Sequence, residues 1–101
     1  MDVSTSIQDG IAVISLKGRF DFSVTQAFRD AVENALANTA AKEIQIDLGG
    51  VGHLDSAALG VLLLSRDNAQ DAGKTVSLAG VTGKVKQVLN LANFDKIFIY
   101  K

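Results

Sequence analysis

Two hydrophobic rhythms alternate along this chain. Residues 3–8 and 11–17 are rich in Val, Ile, Thr and Ser, and Asp9-Gly10 between them readily takes the positive φ angles of a tight hairpin. An antiparallel strand pair is predicted there. Phe28, Ala31, Val32, Ala35 and Leu36 then recur at helical spacing behind Ser23 and Gln26, which stand as a capping box, so a first helix is expected over about residues 23–38. In "EIQIDL" the apolar Ile44, Ile46 and Leu48 alternate with polar Gln45 and Asp47, the period of a strand. Gly49, Gly50 and Gly52 are expected to end it.

The next stretch, "HLDSAALGVLLLSR" from His53 to Arg66, has an apolar run whose periodicity fits either a buried strand or a helix. Its flanks favour the helix. Asp55 as N-cap can accept from the unpaired amides of a first turn, and Leu54 and Leu59 then take the two positions of a hydrophobic staple. The polar tail "SRDNAQDAG" continues the turn, and Gly73 suits the left-handed residue that ends many helices, which places helix two over about residues 56–72. "KTVSLAG" has the composition of a strand, Thr82 is expected to cap a third helix with Val85, Val88, Leu89 and Ala92 inward, and "KIFIY" closes as a last strand. The order β-β-α-β-α-β-α-β predicts an α/β domain over residues 1–101: one mixed β-sheet packed with α-helices, since strands separated by helices pair in parallel.

Composition narrows the function. A chain of 101 residues with 48% hydrophobic content and a mean hydropathy of +0.23 is long enough for one core and too short for two. The formal net charge is -1 and the Lys and Arg residues are scattered, so no basic stripe exists to neutralise a nucleic-acid backbone. There is no cysteine, which removes disulfides, thiol nucleophiles and Cys-based metal sites and fits a reducing compartment. The start "MDVSTSIQDG" lacks the basic and apolar regions of a secretory signal, and the longest apolar block, Ala57 to Leu64, falls short of the roughly 18 to 20 residues of a membrane span. The expectation is a cytoplasmic protein without direct membrane insertion.

Several fragments imitate catalytic or cofactor motifs and fail on spacing. "GGVGHLD" holds Gly50-x-Gly52, but Asp55 stands where a dinucleotide fingerprint needs its third glycine. "GKT" at Gly73 to Thr75 follows a helix instead of leading into one, and Asn68 occupies the position of the first phosphate-loop glycine. His53, Asp55 and Ser56 are too close in sequence to converge as a nucleophilic triad, and His53, the only histidine, is a poor metal site alone. Neither a catalytic residue nor a cofactor or metal site is expected. The Phe residues of "GRFDF" and "LANFDKIF" are expected in the core.

Asp55-Ser56 remains, at the head of an apolar helix. Capping alone would account for both residues. Yet Leu59, Leu62 and Leu63 take one side of that helix while Ala57, Val61 and Leu64 point elsewhere, more apolar surface than packing on one sheet face requires. The surplus is either a docking face or is buried by neighbouring helices.

The strand "IQIDL", the short loop and "LDSAALGVLLL" resemble the signature of STAS domains, the fold of bacterial anti-sigma factor antagonists, in which an aspartate precedes a phosphorylatable serine, two small residues and a leucine. "GRFDF" at Gly18 to Phe22 resembles that family's glycine-x-x-aspartate loop, and "VSLAGVTGKVKQVLNLANF" its second half, so the resemblance covers almost the whole chain. It implies that Ser56 is the phosphoacceptor and that Asp21, Asp55, Ser56, Ala57, Leu59 and Gly60 contact the partner. Ala57 replaces a frequent second hydroxyl residue and Ala58 a frequent glycine, leaving Ser56 as the single hydroxyl of the motif. The implied function is a partner switch that binds an anti-sigma factor or equivalent regulator when Ser56 is unmodified, with a serine kinase and a phosphatase acting on it. The alternative is a non-catalytic STAS subunit of a membrane transport complex.

Overall fold

The computed structural model describes residues 2–101. Five strands, β1 (Asp2–Gln8), β2 (Ile11–Phe20), β3 (Glu43–Leu54), β4 (Thr75–Ala79) and β5 (Ile99–Tyr100), form one sheet in sequence order, with β1 antiparallel to β2 and the other neighbours parallel. The helices α1 (Thr25–Ala37), α2 (Ser56–Asp71) and α3 (Gly83–Leu91) make the three crossovers, and short 3-10 turns precede α1 and β5. This is the expected α/β architecture and order.

Alternation in the strands becomes layers in the core. Ala12, Ile44 and Val76 stand side by side across β2, β3 and β4, as do Ile14, Ile46 and Leu78, and all six are buried. Onto them α1 lays Phe28, Val32 and Ala35, one face at helical spacing, with the Phe28 ring 5.1 Å from that of Phe20. Asp9 and Gly10 both have positive φ, the geometry of a two-residue hairpin. At the far end of α2, Gly73 is left-handed, the Lys74 amide donates to the Ala69 carbonyl and the Gly73 amide to that of Gln70, the paired bonds that close a helix on a C-terminal glycine.

Lys74 has a second task. Its half-buried ammonium donates at 2.8 Å to the carbonyls of both Leu36 and Asn38, satisfying the C-terminal end of α1 from a neighbouring connection. Lys74→Met keeps the stem and removes both bonds, so a loss of about 1–3 kcal/mol is expected in urea unfolding, as for charged hydrogen bonds.

Four expectations are corrected. The first helix begins at Thr25, because Asp21 takes the Ser23 amide and hydroxyl and draws residues 22–24 into a 3-10 turn, while Gln26 donates its side-chain Nε2 to Asp30 instead of reaching back. β2 runs to Phe20 and β3 through its glycines to Leu54, so Gly49, Gly50 and Gly52 lie inside a strand. Gly50 is there for lack of room: a Cβ on it would meet the Leu16 carbonyl oxygen at 2.9 Å, whereas one on Gly49 would press only on Asp47 Oδ1, at 3.1 Å. Thr82 does sit at the N-cap of α3 but makes no side-chain cap bond, and the last strand is only Ile99–Tyr100, because residues 94–96 coil into a 3-10 turn that buries Phe94.

Candidate functional site

The C-terminal ends of β2 and β3 run side by side, with Arg19 opposite His53 and Phe20 opposite Leu54. Each strand then turns into its helix through an aspartate. Asp55 Oδ1 accepts from the Ala58 amide at 3.0 Å, the N-cap bond expected of it, with Leu54 buried and Leu59 half-buried at the staple positions. Its Oδ2 accepts from the Phe22 amide at 3.3 Å, and its own amide donates to the Phe20 carbonyl. One side chain thus caps α2 and ties it to the turn before α1.

Asp21 does the same work on the neighbouring turn. Its Oδ1 accepts from the Ser23 amide at 3.0 Å and from the Ser23 hydroxyl, with Arg19 Nε 3.8 Å from Oδ2. The Ser23 hydroxyl bond, the largest influence, holds the Asp21 carboxyl below the ordinary value; desolvation opposes it, and the Ser23 amide and the charges of Arg19 and His53 add to the lowering. A depressed folded-state pKa stabilises the turn above the unfolded value and loses that contribution as pH falls through the folded one. In an NMR titration the Ser23 amide shift is therefore expected to stay constant down to the unfolded aspartate range and to move only at lower pH.

Ser56 is the first residue of α2, exposed, and its hydroxyl has no hydrogen-bond partner among the described residues. Asp55 alone carries the cap. Capping therefore does not account for the serine. The amides of Ser56 and Ala57, at the positive end of the helix, also have no acceptor there.

The apolar surplus of α2 divides in two. Ala58, Val61, Leu62, Ser65 and Ala69 are buried, Ser65 by donating its hydroxyl to the Val61 carbonyl, so Leu63, expected beside Leu62, instead turns outward and is partly exposed along with Leu64. Ala57, Gly60, Val61 and Leu64 line a groove of about 240 Å³ whose other wall is Phe22, Thr25 and Arg29. Phe22 is 78% exposed, against the expectation that the Phe residues are core, whereas Phe20, Phe28, Phe94 and Phe98 are buried. Strand alternation would have put Phe22 on the same face as Phe20; the chain leaves the strand at Asp21 and swings it out. Ala57 and Gly60 stand in one wall of the groove and Asp55 accepts from the amide of the residue after Asp21, while Phe22, Thr25 and Arg29 carried no sequence signal that marked them.

The family model described as "Mlab, STAS domain" matches residues 3–100. This chain belongs to the STAS domain family. A STAS-domain containing protein of Pseudomonas aeruginosa is 42% identical over 85 residues, which cover 84% of this chain and 82% of that one. In fold the domain is similar to an anti-sigma factor antagonist from Mycobacterium paratuberculosis, with a TM-score of 0.87 at 21% identity over 98% of this chain and 83% of that one. It is also similar to a sulfate transporter family protein from Wolinella succinogenes, with a TM-score of 0.80 at 16% identity over 94% of this chain and 80% of that one. No helix among the described residues of this STAS domain is long and apolar enough to cross a membrane.

Proposed function

We propose that this STAS domain is a cytoplasmic anti-sigma factor antagonist that works by partner switching. Unmodified, it binds an anti-sigma factor or an equivalent regulator through the head of α2 and the Asp21 turn, with Asp21, Asp55, Ser56, Ala57, Leu59 and Gly60 at or beside the contact. A serine kinase phosphorylates Ser56, the partner leaves, and a phosphatase restores binding. The domain itself supplies no catalysis. The observation that carries this reading is the Ser56 hydroxyl, exposed at the helix start and without a hydrogen-bond partner among the described residues, Asp55 having taken the cap.

Comparative pull-downs from the native cytoplasm with Ser56→Ala, Ser56→Asp and, where it can be made, phosphoserine baits test it by mass spectrometry. A signalling regulator held by the alanine bait and lost from the charged ones is the expected result. A second reading, a fixed subunit of a membrane transport complex, is favoured by the likeness to the Wolinella succinogenes transporter family protein. Under it every bait retains the same transporter component in detergent, and Ser56 is only a contact.

A further inference from the structure

The groove beside Ser56 has the form of a seat for a third helix. Gly60, Val61 and Leu64 lie three, four and seven residues on from Ala57 along α2, and Thr25 and Arg29 of α1 lie three and seven on from Phe22 in the 3-10 turn, so two stripes face a common trough. From Ala57 to Leu64, α2 rises about 10 Å, roughly two helical turns. One residue opens the floor. Gly60 is exposed in mid-helix, and a Cβ added to it would meet nothing within 4 Å, so no packing inside the domain requires glycine there. Glycine costs a helix interior about 1 kcal/mol relative to alanine, and what it leaves is an open notch between Ala57 and Leu64.

The charges select the occupant. Arg29 is exposed in the wall opposite Leu64, and no carboxylate among the described residues lies within ion-pair distance of it. Its neighbour Asp30 accepts from Gln26, and the Thr25 hydroxyl donates to the Phe22 carbonyl. Asp21 and Asp55, at the upper end, are committed to backbone amides. The groove is thus apolar apart from one cation, and covering that cation without an anion would leave a desolvated charge unpaired.

We infer that the groove binds an amphipathic helix of a partner protein that lays an apolar stripe against Phe22, Gly60 and Leu64 and places one Asp or Glu against Arg29. This rests on the reading of the α2 head as the partner surface and specifies the chemistry of the partner. Helix-in-groove docking of this kind takes its affinity from a few apolar anchors and its register from the charge.

Two synthetic amphipathic helices of about 16 residues, long enough for measurable helicity and identical except for Glu or Lys at the position level with Arg29, are the probes. Titrated into 15N-labelled protein, the Glu peptide is expected to shift the amides of Phe22, Gly60 and Leu64 and to bind at least about tenfold more tightly than the Lys peptide. Arg29→Glu is expected to reverse that preference, and Gly60→Gln, which fills the notch at an exposed site without disturbing the fold, to abolish both. Equal affinity for the two peptides, shifts confined to other surfaces, or no shift at all would overturn the inference. So would groove shifts that grow with protein concentration alone, which would give the groove to a second copy of the chain. The Glu peptide titrated into Ser56→Asp separates this inference from the switch: undiminished groove binding there would uphold the helix seat and remove Ser56 from its control.

Discussion

Phosphorylated at Ser56, the domain is expected to bind its partner more than a hundredfold more weakly while remaining folded. The phosphate brings about −1.5 to −2 charges to the first residue of α2. Inside the domain that charge is tolerated, since Ser56 is exposed and the unpaired amides of Ser56 and Ala57 lie at the positive end of the helix. Inside an interface it is not. It would be covered beside the carboxylates of Asp55 and Asp21, and Arg19, on the strand before that turn, already faces Asp21. A cost of about 3 kcal/mol or more for a buried, poorly paired charge corresponds to at least two orders of magnitude in Kd. Calorimetric titration of the modified and unmodified domain with the partner retained by Ser56→Ala reads the affinity, and thermal unfolding reads the fold. A change in Kd of less than threefold, with Tm unaltered, would make Ser56 a bystander.

Gly80→Ala is expected to be the most damaging single methyl in the molecule. Gly80 is left-handed, at φ +67, and a Cβ there would lie 2.6 Å from the Gly49 amide nitrogen, 2.7 Å from the Gly49 Cα and 2.9 Å from Asp47 Oδ1. Backbone occupies two of those positions, so side-chain rotation cannot relieve the clash. The left-handed conformation costs alanine about 1–2 kcal/mol, and overpacking adds roughly 1–3 kcal/mol. The sum, about 3 kcal/mol, is a large part of the stability of a small domain and lowers Tm by roughly 10–20 °C. Asp47 Oδ1 also accepts from the Gly49 amide, so the substitution strains that bond as well. Gly52→Ala is the control: it lies in the same stretch, with nothing within 4 Å of the added atom, and urea unfolding is expected to move by less than about 0.5 kcal/mol. Equal losses at the two positions would mean that close packing of Gly49 on Gly80 is not what these glycines serve.

Elements whose signal is local were legible in the chain. The hairpin at Asp9-Gly10, the alternation of Ile44, Ile46 and Leu48, the Asp55 cap and the Gly73 stop all rest on interactions within a few residues, and each stands where it was expected. The motif was equally local: Asp55 is the N-cap of α2, and Ser56, Ala57, Leu59 and Gly60 lie in its first turn and a half.

What the chain withheld depends on contacts between residues remote in sequence. The glycines of β3 had the composition of a turn, and only the approach of Lys17 from β2 to Gly50, and of Gly80 from just beyond β4 to Gly49, shows that strand pairing carries through them. Ser23 and Gln26 had the spacing of a capping box, but Asp21 competed for the same amide and won with a carboxylate, the stronger acceptor. Phe22 had the character of core, and Arg29 that of an ordinary helix surface, until α1 and α2 came together with both on one groove. Local hydrogen bonds and side-chain periodicity are written into the order of residues; which apolar groups stay uncovered is fixed only when the helices have taken their places on the sheet, because burial is a property of neighbours brought from elsewhere in the chain.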